Sequence, residues 1–200
     1  QRRPHEIREI SILPQYQKYP AGSVLISCGN TRVICAASIL DGIPRWMREQ
    51  NVPGGWITCE YQMLPSATQQ RTQREATRGR PSGRTQEIQR LIGRSLRAAV
   101  NLEKLGPRTL QIDCDVVDAD GGTRCAAITG ACVALELALR GLFLEGRLKE
   151  WPVRERVAAV SVGIVDDEPV VDLCYEEDNA ASVDMNVVMT ENGRFVEIKG

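Results

Sequence analysis

The 200 residues are 42% hydrophobic but only 4% aromatic, so we expect one sizeable core built mostly from aliphatic side chains. Seven cysteines without a C-x-x-C pair argue against a zinc site and favour reduced thiols in a cytoplasmic protein, and the single histidine, His5, argues against a histidine-based hydrolase. The net charge is only -1, and no apolar run is expected to reach membrane-spanning length, so the sequence predicts no membrane association.

The first half of the chain is predicted to be a β-hairpin followed by a long loop. Residues 23–40 alternate in polarity and are rich in β-branched side chains on both sides of Gly29-Asn30, a pattern typical of a hairpin. Prolines, glycines and polar residues then mark an irregular stretch up to Gly83, with one short strand around Trp56 to Tyr61. A loop of this length inside a compact domain is usually functional.

The second half is predicted to combine two helices with further strands. Apolar residues at helical spacing predict an amphipathic helix over residues 85–102, followed by a strand over residues 108–117. A second helix, apolar on nearly every side, should follow Gly121-Gly122-Thr123 and run through Leu139. Two hairpins complete the pattern, with strands at residues 157–165, 169–175, 183–190 and 194–198. We therefore predict a single α/β unit, residues 1–200, with mostly antiparallel strands.

Charge is sorted along the chain in a way that the net value hides. Between Arg71 and Arg97 there are eight arginines and only two glutamates, whereas between Asp166 and Glu191 there are nine acidic residues and no Lys or Arg. The basic stripe could bind a polyanion, and the separate carboxylate cluster could bind a metal or a proton. Two solvated faces are the alternative interpretation.

Three short motifs are candidates for chemistry. The run Asp120-Gly121-Gly122-Thr123-Arg124 leads glycines into a helix, whose unpaired N–H groups and dipole favour an anion. Arg84, in Gly83-Arg84-Thr85, is a cation in the first turn of a helix, where the dipole disfavours it unless an anion also binds. Asp178 and Asp184 could share a divalent metal or divide acid and electrostatic roles, as phosphoryl transfer requires. Each motif alone is also compatible with an ordinary turn, surface side chain or solvated loop.

Four longer runs together resemble a known family: GWITCEYQMLPSAT, RTQREATRGRPSGRTQEIQRLIGRSLRAAV, IDCDVVDADGGTRCAAITGACVAL and YEEDNAASVDMNVVMTENGR. They resemble the RNase PH family of phosphorolytic exoribonucleases, in family order and over essentially the whole chain. The resemblance implies an α+β fold of the RNase PH type, with a β-α-β core related to a ribosomal-protein fold. It also implies a C-terminal helical segment after Gly200 and a homohexameric ring formed as a trimer of dimers.

The family's activity implies a set of site residues. In such enzymes inorganic phosphate attacks the terminal phosphodiester of RNA and releases a nucleoside diphosphate, and the reverse reaction adds nucleotides. The implied substrates are tRNA precursors and other structured RNA, including rRNA, which gives both an exoribonuclease and a tRNA nucleotidyltransferase. By resemblance, Asp178 and Asp184 would be catalytic and would bind Mg²⁺, and the phosphate would be held by Arg84, Gly122, Thr123 and Arg124.

Arginines of the long loop match the family's RNA contacts. Arg71 and Arg74 correspond to them, Ser66 stands where many relatives carry another arginine, and Arg78 and Arg80 are additional basic residues nearby. Contacts of this kind reach phosphates and not bases, so they predict weak sequence preference and strong salt dependence.

Two alternatives come from the same resemblance. One is a catalytically silent ring subunit that only binds RNA, although such subunits typically lose the phosphate arginines or the paired aspartates, which this chain keeps. The other is a domain of a larger phosphorolytic enzyme such as polynucleotide phosphorylase, for which no appended RNA-binding module is visible in the sequence.

Overall fold

The computed structural model describes residues 2–200, apart from the side chains of Ala76 and Arg78. In chain order its strands and helices are β1 (Ile10–Pro14), β2 (Gly22–Cys28), β3 (Thr31–Asp41), α1 (Arg45–Glu49), β4 (Trp56–Met63), α2 (Gly83–Ala99), β5 (Arg108–Asp118), α3 (Thr123–Leu144), β6 (Val157–Val165), β7 (Glu168–Val171), α4 (Tyr175–Ala180), β8 (Val183–Thr190) and β9 (Phe195–Lys199). Short 3₁₀ turns occupy Glu75–Arg78 and Leu102–Leu105.

The strands form two sheets. The first has the order β1-β2-β3-β5-β4, and the second has the order β7-β6-β8-β9. Adjacent strands run antiparallel in both sheets, except that β4 is parallel to β5. Alternation along β5 buries Leu110, Ile112 and Val116 on one face and leaves Asp113 and Asp115 on the other. The fold class is therefore α+β with mostly antiparallel strands, as the sequence predicted.

Helix α3 packs against strands of both sheets. It contacts β2, β3 and β5 of the first sheet and β6 of the second, and it also touches α2. Thirteen of its 22 residues are buried, which explains why the sequence shows no polar face on this helix. Because α3 bridges the sheets, its first turn lies where elements from both can meet.

The expectation that no apolar run approaches membrane-spanning length was wrong for α3. By length and composition alone this helix could cross a membrane, with a mean hydropathy of 1.7 over 18 residues. Thr, Gly and single charged residues interrupt this run in the sequence, but its mean hydropathy stays high. In the fold, 56% of that window is buried, as expected for a core helix.

Most predicted elements lie where the sequence placed them, but several bounds differ, and α1 lies in the stretch that was predicted to be irregular. The hairpin strands are β2 and β3, and the amphipathic helix is α2, which begins two residues earlier than predicted. Strand β7 ends at Val171, and Tyr175 begins α4 instead of ending a strand. Strand β1 was not predicted, because all five of its residues are exposed and show no burial alternation. The folding of residues 1–200 as one unit stays a prediction.

Candidate functional site

The glycine turn before α3 requires glycine at both positions. Gly121 and Gly122 have φ values of 75° and 65°, in the left-handed region that other residues adopt at a cost. A Cβ atom on Gly121 would lie 2.5 Å from the carbonyl oxygen of Leu173. The turn therefore sits directly against the segment that leads into α4. It presents the first N–H groups of α3, which have no partner within the helix, and a helix N-terminus of this kind can bind an anion.

Tyr61 on β4 contacts the first turn of α3 through a buried hydrogen bond. Its hydroxyl donates a 2.9 Å hydrogen bond to Oγ1 of Thr123, the first residue of α3, and both side chains are buried. A hydroxyl oxygen that accepts one hydrogen bond can still donate its own hydrogen to another group. Burial raises the pKa of Tyr61, so it stays a neutral donor. Sequence reasoning missed Tyr61, and the signal that could have found it was its place in the run GWITCEYQ.

Two arginines lie in the first turns of α2 and α3. Arg84 is the second residue of α2, and Ser82 caps that helix by accepting a 3.1 Å hydrogen bond from the N–H of Thr85. Arg124 is the second residue of α3, and its Nη1 lies 3.6 Å from Oε2 of Glu87 on α2. Only 17% of the Arg124 side chain is exposed, whereas Arg84 is exposed. Burial raises the pKa of the Tyr61 hydroxyl, and the charges of Arg84 and Arg124 both oppose this rise. Both guanidinium groups therefore lie close enough to Tyr61 to act on it.

The two predicted carboxylates belong to this same electrostatic neighbourhood. Asp178 lies in α4 and Asp184 in β8. Burial raises the pKa of Asp178, the charge of Asp184 raises it further, and the charges of Arg84 and Arg124 oppose the rise. Arg84, Arg124 and Asp184 therefore all act on the charge of Asp178, although the four groups come from α2, α3, α4 and β8.

The carboxylates also bear on whether the site fits a metal. Among the described residues no group of three or more His, Cys, Asp or Glu side chains is arranged to hold an ion. Mg²⁺, however, is commonly held by one or two carboxylates together with water and substrate phosphates. Asp178 and Asp184 repel each other, and a divalent cation would relieve that repulsion. The residues present thus fit a Mg²⁺ ion whose remaining ligands come from the substrate.

The long loop is anchored beside the site at both ends. The N–H of Ala119, at the end of β5, donates a 2.8 Å hydrogen bond to the carbonyl of Ala67. At the other end, Glu75 accepts bonds from the Thr85 hydroxyl at 2.7 Å and from the Ser82 N–H at 3.2 Å, next to Arg84. The loop therefore leaves the fold near the glycine turn and returns near the start of α2.

The predicted RNA-binding arginines have different surroundings. Arg71 and Arg74 are exposed on the loop, and the side chain of Arg78 lies outside the described part of the structure. Arg80 lines a cavity of about 450 Å³ together with Glu60, Asp113 and Asp115. Burial and the neighbouring carboxylates of Glu60 and Asp115 raise the pKa of Asp113, as expected for a crowded acidic surface. This cavity would repel RNA phosphates, so Arg80 sits in a less favourable setting than Arg71 and Arg74.

Comparison with known proteins identifies the family of the chain. The model of the 3′ exoribonuclease family matches as domain 1 over residues 6–140 and as domain 2 over residues 155–198. Ribonuclease PH of Syntrophomonas wolfei is 56% identical over 98% of this chain and 81% of its own length. Ribonuclease PH of Bacillus pumilus is 58% identical over 98% of this chain and 80% of its own length.

Solved structures share the fold at lower identity. Rice Rrp46 matches with a TM-score of 0.79 and 18% identity, covering 98% of this chain and 82% of its own. The Archaeoglobus fulgidus exosome with RNA bound to the active site matches with a TM-score of 0.78 and 23% identity, covering 97% of this chain and 77% of that one. The sequence resemblance, the fold and the matched family models agree, and the chain belongs to the 3′ exoribonuclease family of RNase PH.

Proposed function

We propose that this protein is a phosphate-dependent 3′-to-5′ exoribonuclease that removes 3′-terminal nucleotides from tRNA precursors and other structured RNA, including rRNA. The observation that carries the proposal is the shared electrostatic neighbourhood of Arg84, Arg124, Asp178 and Asp184 beside the glycine turn of α3. The relatives named Ribonuclease PH support the same activity.

The arrangement suits the attack of one anion on another. An oxygen of inorganic phosphate bonds to the terminal phosphorus, the bond from that phosphorus to the 3′ oxygen breaks, and a nucleoside diphosphate leaves. The two anions repel, and fixed positive charges with oriented N–H groups reduce that repulsion without reorganising during the reaction. In this proposal Arg84, Gly122, Thr123 and Arg124 bind the attacking phosphate. The reverse reaction adds a nucleotide from a diphosphate.

The departing 3′ oxygen needs a proton or a neutralising charge. The raised pKa of Asp178 is the direction that a proton donor requires, and Asp184 is the neighbouring charge that contributes to it. We propose these two residues as the catalytic carboxylates. Mg²⁺, held by the same pair, would neutralise charge on the reacting phosphates when bound.

The body of the RNA would be held outside this pocket. Arg71 and Arg74 extend from a loop that is anchored beside the glycine turn, and their charges can reach phosphates of a structured RNA while its 3′ end enters the site. Arg78 adds charge to the same loop in this proposal, and Arg80 adds less, because the cavity that it lines is acidic. Because such contacts avoid base edges, the substrate is defined by a free 3′ end and by shape more than by sequence.

We also propose that the chain works as a ring-shaped homohexamer in the cytoplasm. Apolar side chains are exposed on the outer strands of both sheets, among them Ile10, Leu13, Phe195 and Ile198. Exposed apolar surface on edge strands is typical of surfaces that pair with another subunit. The similarity to the Archaeoglobus fulgidus exosome supports an assembly of several such chains.

A catalytically silent RNA-binding subunit is the alternative. It is disfavoured because the chain keeps both phosphate arginines and both aspartates, and because the fold brings their charges together. The two functions differ in one assay. The protein is incubated with a 3′-extended tRNA in phosphate buffer and, as a control, in sulfate buffer of equal ionic strength.

The products of that assay decide between the possibilities. We expect shortening only with phosphate, and nucleoside diphosphates as the only small products. Monophosphates released in sulfate buffer would show hydrolysis and would refute phosphorolysis. Retention of intact RNA in both buffers would show the silent subunit.

A further inference from the structure

Arg8, which precedes β1, forms a buried ion pair that touches the glycine turn. Its side chain is 9% exposed, and that of its partner Asp172 is 10% exposed. Asp172 accepts three hydrogen bonds from this one residue, from the backbone N–H at 2.8 Å, from Nε at 3.0 Å and from Nη2 at 2.8 Å. A fork-like pair of this kind fixes the guanidinium plane in one orientation.

The remaining donors of that guanidinium reach the backbone of the turn. Nη1 donates to the carbonyl of Asp120 at 2.6 Å, and Nη2 approaches the carbonyl of Gly121 at 3.4 Å. Thr31 adds a second hold on the same turn, because its hydroxyl donates to the Gly121 carbonyl at 2.7 Å and accepts from the Asp120 N–H at 2.9 Å. Both carbonyls are thus held on the side of Arg8.

The direction of these carbonyls sets the direction of the next N–H groups. In a planar trans peptide the N–H of one residue points opposite to the C=O of the residue before it. With the carbonyls of Asp120 and Gly121 turned towards Arg8, the N–H groups of Gly121 and Gly122 point away from it. A Cβ on Gly122 would lie 2.9 Å from Nη2 of Arg8, so the turn and the guanidinium are in direct contact.

The same ion pair holds the segment that leads to Asp178. Asp172 has a φ of 61°, and the N–H of the following Leu173 donates to the Ser161 hydroxyl at 2.9 Å. Asp120, in turn, accepts a 3.3 Å hydrogen bond from the N–H of Tyr175, the first residue of α4. One buried pair therefore fixes the glycine turn and the approach to α4 relative to each other.

We propose that Arg8, anchored by Asp172, is a positioning residue of the phosphate site. It directs the N–H groups of Gly121 and Gly122 by holding the preceding carbonyls, and its own charge is neutralised by Asp172. The inference rests on the proposed function for the identity of the ligand, inorganic phosphate. It does not place Arg8 in contact with that ligand.

Four variants separate positioning from a purely structural role. Arg8→Met removes the contacts and leaves Asp172 unpaired, which destabilises the fold. The double variant Arg8→Met/Asp172→Asn removes both charges, and Asn tolerates the left-handed backbone at this position. Arg8→Lys keeps a charge but loses the planar fork. Arg156→Met is a control for losing an arginine fork away from the turn, because Arg156 forms a two-pronged pair with Glu136, in the middle of α3, although Arg156 is more exposed than Arg8.

The readouts are the phosphate KM, the RNA KM, kcat and the melting temperature. We expect Arg8→Met to raise the phosphate KM about tenfold or more, the size expected for losing charge-assisted hydrogen bonds, with little change in the RNA KM. The double variant should recover melting temperature but not the phosphate KM, and Arg8→Lys should fall between wild type and Arg8→Met. A double variant with a wild-type phosphate KM would overturn the positioning role.

Stabilisation by phosphate separates this inference from the proposed function. Inorganic phosphate should raise the melting temperature of the wild type and of Arg156→Met, and should raise that of the double variant far less. If the wild type releases no diphosphate but shows this difference, the proposed function fails and the positioning role stands. If phosphate stabilises every variant equally, Arg8 has no positioning role whatever the activity.

Discussion

Replacement of Gly121 by alanine tests whether the glycine turn is fixed by its contact with Leu173. Gly121 has a φ of 75°, and an added Cβ would lie 2.5 Å from the Leu173 carbonyl oxygen and 2.6 Å from the carbonyl carbon of Cys174. A left-handed alanine costs about 1–2 kcal/mol. Forcing a methyl group into packed backbone costs about 1–3 kcal/mol more. We therefore expect the free energy of unfolding to fall by about 2–5 kcal/mol.

Gly146 provides a matched control for the conformational part of this cost. It has a φ of 70°, follows the end of α3, and has open space where its Cβ would be. Gly146→Ala should therefore cost only the conformational part, about 1–2 kcal/mol. The difference between the two variants, about 1–3 kcal/mol, measures the contact with the segment before α4.

The assay is equilibrium unfolding in urea at one protein concentration, with linear extrapolation for wild type and both variants. In a chain of this size each kcal/mol lowers the melting temperature by roughly 2–4 °C, so Gly121→Ala should be clearly separated from Gly146→Ala. Gly121→Ala should also raise the phosphate KM, whereas Gly146→Ala should not. Equal unfolding free energies for the two variants would refute the close approach of the turn to Leu173.

Three further changes test the site. Arg124→Ala should lower kcat/KM for phosphate about 10²–10³-fold and leave RNA binding largely intact; unchanged turnover at limiting phosphate would contradict its role. Replacing Arg71 and Arg74 together by alanine should weaken tRNA binding and reduce the salt slope of log K by about 2, and an unaltered slope would count against these contacts. Asp178→Asn should abolish turnover yet raise the free energy of unfolding at pH 7, because the raised pKa of Asp178 means that folding favours its neutral form. For such a group the stabilisation is complete below the unfolded pKa of about 3.9 and is lost as the pH rises through the folded pKa. The gain in unfolding free energy of Asp178→Asn over the wild type should therefore vanish below about pH 3.9. Urea unfolding at pH 7 and at a pH below this value checks the prediction.

Local signals in the sequence were sufficient for much of the fold. The glycines before α3 and the turns Asp166-Asp167 (before β7) and Asn192-Gly193 (before β9) have their own conformational preferences, so hairpins and helix starts could be predicted from neighbouring residues alone. Helix α2 could likewise be predicted from apolar residues at helical spacing. The meeting of Arg84, Arg124, Asp178 and Asp184 had no local signal, because it depends on how α3 bridges two sheets. Only the family resemblance predicted it.

Other parts of the structure lacked any readable pattern. Strand β1 has only five residues, and α4 has only six, so both are too short for a clear polarity period to show in the sequence. Arg8 lies in a charged N-terminal stretch that resembles an ordinary solvated segment. Its partner Asp172 is 164 residues away, and the pair is recognisable only after the chain has folded.

Asp172 and Asp178 lie six residues apart yet have pKa values shifted in opposite directions. Burial opposes ionisation of both, but hydrogen bonds from Arg8 outweigh it at Asp172 and lower that pKa, whereas Asp184 adds to burial at Asp178 and raises it. An aspartate held ionised by a buried guanidinium is suited to fixing backbone. An aspartate pushed towards its neutral form is suited to exchanging a proton or sharing a cation with its neighbour. In the proposed mechanism the same short segment therefore contains both the group that positions the site, Asp172, and the group that acts in it, Asp178.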